Sequence, residues 1–203
     1  MLKFEKFPWP APGQKLIVQE PVSQCNAIFH QFIVQGDAHA SAYLEAADRL
    51  LLATDLARAE QDCLALPILF LYRRHLELKL KDAIVRTQRF LREGDTAPMT
   101  HDLMELWRRF RTLIVRIEPN DPDSSLDAAE SVVGELHALD AGSMTFRYAV
   151  DRQGRQLLRG VDRLSLPSFA HAIHGVSNLL DGCESVIIAA QDAGWDSYRD
   201  ECY

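Results

Sequence analysis

FLYRRHLELKLKDAIV, Phe70 to Val85, decides how this chain folds. On a helix, Leu69, Tyr72, Leu76, Leu80, Ala83 and Phe90 share one face, the apolar stripe of an amphipathic helix turned to a core. Arg74, Glu77 and Lys81 follow at i, i+3 and i+7 and make a second line of alternating charge. His75, Lys79, Asp82, Arg86 and Arg89 make a third, and charge at that spacing reads as a solvated face. The helix stops at Gly94, and Pro67 predicts that it starts near Leu66 or bends there, because proline lacks an amide donor.

The same periodicity extends outward. Residues 26–56 are helical in two pieces broken near Gly36, with Asp37 a suitable N-cap for the second. After His101 the residues Leu103, Leu106, Trp107, Phe110, Leu113, Ile114 and Ile117 form an apolar stripe. Thr100 is placed to cap that helix and Pro119 to end it. Another helix begins at Ser124, where Ser124 and Asp127 have capping-box spacing, and runs to Leu139. The last spans Ser168 to Ala193. Its Phe169, Ile173, Val176, Leu180, Cys183, Ile187 and Ala190 repeat every 4 and 3 residues, a seam suited to a bundle core or, less often, to a second chain.

Two segments depart from this pattern. Residues 1–23 hold Pro8, Pro10, Pro12 and Pro21 and read as an extended N-terminal arm, packed in cis or on a second copy; residues 24–203 read as one helical domain. Residues 140–165 contain the β-branched and aromatic run TFRYAV and the turn DRQG, which predicts a short hairpin or an ordered loop. The expected fold is all-α, an antiparallel helical bundle of four to six helices with that arm and that insert.

The 203 residues are 47% hydrophobic and 25% charged, the profile of an ordinary soluble domain. No apolar run approaches a membrane span and no signal-peptide core is visible, so a cytoplasmic location without membrane contact is expected. The net charge is −7, yet residues 73–116 carry 11 Lys and Arg against 6 Asp and Glu. A basic segment inside an acidic chain suits a local anion-binding surface, or pairing with the acidic helices. Cys25, Cys63, Cys183 and Cys202 form no CxxC pair and read as reduced thiols. His171, His174, Asn178 and Asp181 line a polar ridge, and without a matched third ligand they predict no metal. Phosphate-binding and dinucleotide-binding glycine patterns and hydrolase triads are absent, and no cofactor is expected.

RHLELKLK at Arg74 to Lys81, HDLMELW at His101 to Trp107 and FRYAVDRQG at Phe146 to Gly154 together resemble the HEPN-like superfamily of bacterial helical proteins. That resemblance implies a dimerising helical bundle. It also implies either a metal-independent ribonuclease of defence or toxin–antitoxin systems or a noncatalytic RNA- or partner-binding module. The family's catalytic signature is an Arg, four to six residues, then a His. No Arg here has a His at that spacing, and the nearest approach is Arg163 to His171, with seven residues between.

Within the matching words the candidate site is His101 as the catalytic group, with Arg74, Glu77, Lys81, Arg147 and Tyr148 as ligand-binding residues. Arg and Lys hold phosphate through charge-assisted hydrogen bonds, and histidine is the side-chain type that exchanges its proton near neutral pH. The expected function is recognition of RNA, a nucleotide or another anion in a polar pocket of a homodimer. The alternative is a noncatalytic interaction or regulatory module with a protein partner, in which the same charges form salt bridges.

Overall fold

The computed structural model describes residues 10, 12–14, 27, 36–53, 58–119, 124–148, 158 and 160–192. The expected arm over residues 1–23, the helical piece before Gly36 and the DRQG turn fall almost wholly outside them. The chain forms two compact units, Met1–His30 and Gln31–Tyr203. The five helices among the described residues all belong to the second: α1 Asp37–Ala53, α2 Arg58–Phe90, α3 Leu103–Ile114, α4 Ser125–Leu139 and α5 Leu166–Asp192. There is no strand among the described residues, and no described helix is long and apolar enough to cross a membrane.

α2 is the axis of this bundle and packs against α1, α3 and α5, while α4 closes the far side between α3 and α5. Ile68, Tyr72, Leu76, Leu80 and Ile84 of α2 are fully buried against Trp107 and Phe110 of α3 and Ile173, Val176 and Leu180 of α5. The heptad seam of α5 thus faces the core of its own unit. Burying side chains of this size contributes about 1.5–3 kcal/mol each. That burial is enough to carry α2 on through Pro67, which lies inside the helix rather than at its start.

Polar contacts give the helix directions. On α1, Asp48, Ala40 and Asp37 meet Tyr72, His75 and Lys79 in reverse order, so α1 is antiparallel to α2. On α5, Ser177 and Asp181 meet His75 and Lys79 in the same order, so α5 runs with α2. α3 also runs with α2, since Glu77 meets His101 and Glu93 meets Arg116. The connection 91–102 carries the chain back along the bundle to allow this. α4 opposes α3 through His137 with Asp102 and Glu130 with Trp107.

Helix starts differ from their sequence reading in two places. Asp102, not Thr100, is the N-cap of α3: its carboxylate accepts the Glu105 amide at 2.9 Å, and the Thr100 hydroxyl accepts the Asp102 amide. Ser124 precedes α4 in a left-handed conformation, φ 52°, and makes no side-chain cap, so no capping box forms. After α4, Met144–Tyr148 close a single helical turn, with the Arg147 and Tyr148 amides both donating to the Met144 carbonyl. This part of the insert is therefore an ordered loop and not a hairpin strand.

Candidate functional site: a buried carboxylate hub

The charged lines of α2 are not distributed as their spacing predicts. His75 and Lys79, expected in solvent, are buried, because α1 and α5 cover that side of the helix. They form two of three polar rungs that tie α1 to α5 across α2. Asp48 accepts from both the Tyr72 hydroxyl (2.7 Å) and His174 Nε2 (2.9 Å). His75 donates from Nδ1 to the Ala40 carbonyl (2.9 Å), which leaves Nε2 to accept the Ser177 hydroxyl (3.1 Å). Lys79 donates to Asp37 (2.9 Å) and Asp181 (2.5 Å). Burial opposes the Lys79 charge, but these two carboxylates outweigh it and raise its pKa.

The line Arg74, Glu77, Lys81 lies on the other side of α2, facing the start of α3. Glu77 has no exposed surface and collects four donors. Its Oε1 accepts from Arg74 (2.7 Å), His101 Nδ1 (2.8 Å) and Lys81 (3.0 Å), and its Oε2 accepts from Arg73 (2.8 Å). Burial alone would raise the Glu77 carboxyl. The hydrogen bonds from Lys81 and His101 and the charges of Lys81 and Arg74 more than offset it and hold the group at about 2. A carboxylate only accepts, so His101 carries its proton on Nδ1 and leaves Nε2 as a free acceptor in the neutral ring.

Arg73 sits behind this hub, 1% exposed. Besides Glu77 it donates to the His101 carbonyl at 2.8 Å and stands 2.9 Å from Asp140 Oδ2 at the end of α4. Asp140 is equally buried, and its Oδ1 accepts the Met144 and Thr145 amides at 2.6 and 2.7 Å. One guanidinium therefore joins α2, the head of α3 and the loop after α4. Local spacing marks neither Arg73 nor Asp140 as part of the site. The available signal was an arginine on the apolar side of α2, four residues before the central glutamate.

The structure brings Arg74, Glu77, Lys81 and His101 together. The other two candidates stay apart from them among the described residues. Arg147 donates to the Ser143 carbonyl at 2.6 Å and lies 5.7 Å over the Tyr148 ring, which is half exposed. Their link to the hub is indirect, through the Asp140 anchor of their loop.

The cluster has a closed inner side and an open outer one. Arg73, Glu77 and Asp140 are withdrawn from water, whereas Arg74, Lys81 and His101 are 29%, 16% and 62% exposed. Three permanent cations face two carboxylates before His101 is counted, so the surplus is positive and points outward. Such a surface suits an anion. No group of three or more candidate metal ligands occurs among the described residues; on the α5 ridge His174 and Asp181 are engaged by Asp48 and Lys79. The chain matches no family model, no curated protein and no solved structure, so the reading of the cluster rests on its own geometry.

Proposed function

We propose that this chain is a HEPN-like helical protein that binds a phosphate-bearing ligand, RNA or a nucleotide, on the outer face of the Glu77 hub. The observation that carries this is the division of labour within the cluster. Glu77 is buried and saturated, and it holds Arg74, Lys81 and His101 in fixed positions at the surface with a net positive charge. Preorganised donors lose little freedom when an anion arrives. Arg74 and Lys81 grip phosphate, and His101 presents Nε2 as the one group of the set able to accept a proton. A metal-independent ribonuclease is the activity consistent with that set. Because the Arg–His spacing of active family members is missing, binding without cleavage takes precedence. A cytoplasmic homodimer in a bacterial defence or toxin–antitoxin setting is part of the same reading.

A short labelled RNA in fluorescence anisotropy tests it. Binding that weakens at least roughly tenfold in Arg74→Ala and Lys81→Ala, and that falls steeply with salt, supports the reading. Indifference to both substitutions overturns it. The same RNA incubated with wild type and His101→Ala decides whether cleavage accompanies binding. A second reading, a noncatalytic interaction module, is favoured by the saturation of Glu77, since every cation of the hub already has a carboxylate. A stable homodimer or heteromeric complex in size-exclusion chromatography, with no RNA affinity, supports the module.

A further inference from the structure

We infer that Arg73 is a relay that couples occupancy of the Glu77 hub to the order of the loop Asp140–Tyr148. The ligand half of this inference rests on the anion-site reading; the coupling itself does not need a ligand. Arg73 serves two buried carboxylates, and it serves them unequally. Toward Glu77 it makes a directed hydrogen bond at 2.8 Å. Toward Asp140 the 2.9 Å approach of Nε to Oδ2 is an ion contact, and neither atom has an aligned hydrogen-bond partner among the described residues. The Asp140 end is therefore the weaker of the two.

Glu77 tolerates burial because four donors share its charge. An anion on the outer face competes for the charge of Arg74 and Lys81, which stay in place but compensate Glu77 Oε1 less. Arg73, the one donor that the outside cannot reach, then has to compensate more of the Glu77 charge and shifts toward it. Asp140 loses the cation it depended on. A buried carboxylate without a compensating charge is strongly unfavourable. The cheapest relief is for the loop to open and admit water, because Asp140 Oδ1 closes that loop through only two amides, Met144 and Thr145. Occupancy of the hub and closure of the loop thus oppose each other, and by linkage a closed loop weakens the ligand to the same degree. Arg147 and Tyr148 ride on this loop, so the relay also sets when they are released.

Amide hydrogen exchange followed by NMR tests the relay. Lys81→Met removes one donor from Glu77 with no described contact to the loop, and so imitates an occupied site. It is expected to speed exchange of the Met144 and Thr145 amides by roughly threefold or more relative to reference amides in α5, which corrects for any global loss of stability. In an Asp140→Asn background the same change should add nothing. Unchanged relative exchange in Lys81→Met overturns the relay, whatever the ligand proves to be. Inorganic phosphate supplies the second arm: phosphate that moves the His101 ring resonances should also accelerate the two loop amides in wild type. Moved resonances with unmoved amides overturn the relay and leave the anion site standing. Unmoved resonances count against the anion site, and the Lys81→Met arm still decides the relay.

Discussion

Arg73 and Glu77, one turn apart on α2, pair at 2.8 Å with side chains 1% and 0% exposed. Arg111 makes the opposite kind of pair, reaching Asp127 and Glu130 of α4 at the protein surface. Breaking a buried pair strands a charge, whereas breaking a solvated one returns both groups to water. Arg73→Met should therefore cost about 3–5 kcal/mol, and Arg111→Ala about 1 kcal/mol or less. Urea denaturation of the two variants checks this; equal losses would show that Arg73 is not buried as described.

Glu77 also sets an acid limit. Its folded pKa, about 2, lies below the ordinary value of 4.5. A group depressed in this way contributes stability that is complete above about 4.5 and is lost as the pH falls from there toward about 2. Wild type should lose more stability across that window than Glu77→Gln, measured as the urea midpoint against pH. Parallel profiles would mean that the carboxylate is not held by its donors.

His75 acts at higher pH. Burial is the main cause that lowers its pKa below 6.5, with the Lys79 charge adding to it and the Ala40 carbonyl and Asp37 opposing. The neutral ring is therefore the folded form, and its contribution is complete above about 6.5 and declines as the pH falls below that. Thermal melts between about pH 7 and 5 should show a steeper loss in wild type than in His75→Leu. The variant itself should be destabilised by about 1–3 kcal/mol, because the Ala40 carbonyl and the Ser177 hydroxyl lose their partner in a buried rung.

Gly36, ahead of α1, has φ +67°, and its carbonyl accepts the His39 and Ala40 amides. A Cβ there would stand 3.3 Å from Asp82 Oδ1. Gly36→Ala should cost about 1–2 kcal/mol from the left-handed backbone alone. Gly94→Ala, at φ +112° with nothing within 4 Å, carries backbone strain without any new contact. Chemical denaturation of both variants separates strain from contact.

The helices themselves were written in the chain. Apolar residues at spacings of 3 and 4 marked α2, α3 and α5, and Arg74, Glu77, Lys81 and His101 could be singled out as polar positions in suggestive words. Spacing groups residues onto a common face, but it does not say what that face meets. α2 runs 33 residues through the middle of the five described helices. The line through His75 and Lys79 looked solvated because its partners, Ser177 and Asp181, lie 102 residues further on. Arg73 is not legible as a site residue because its second carboxylate, Asp140, belongs to the end of another helix. The sequence by itself determined that these segments coil and which side chains ride together on them. Only tertiary packing decided which charges lost water, and a buried charge keeps its place only where distant residues supply the opposite one.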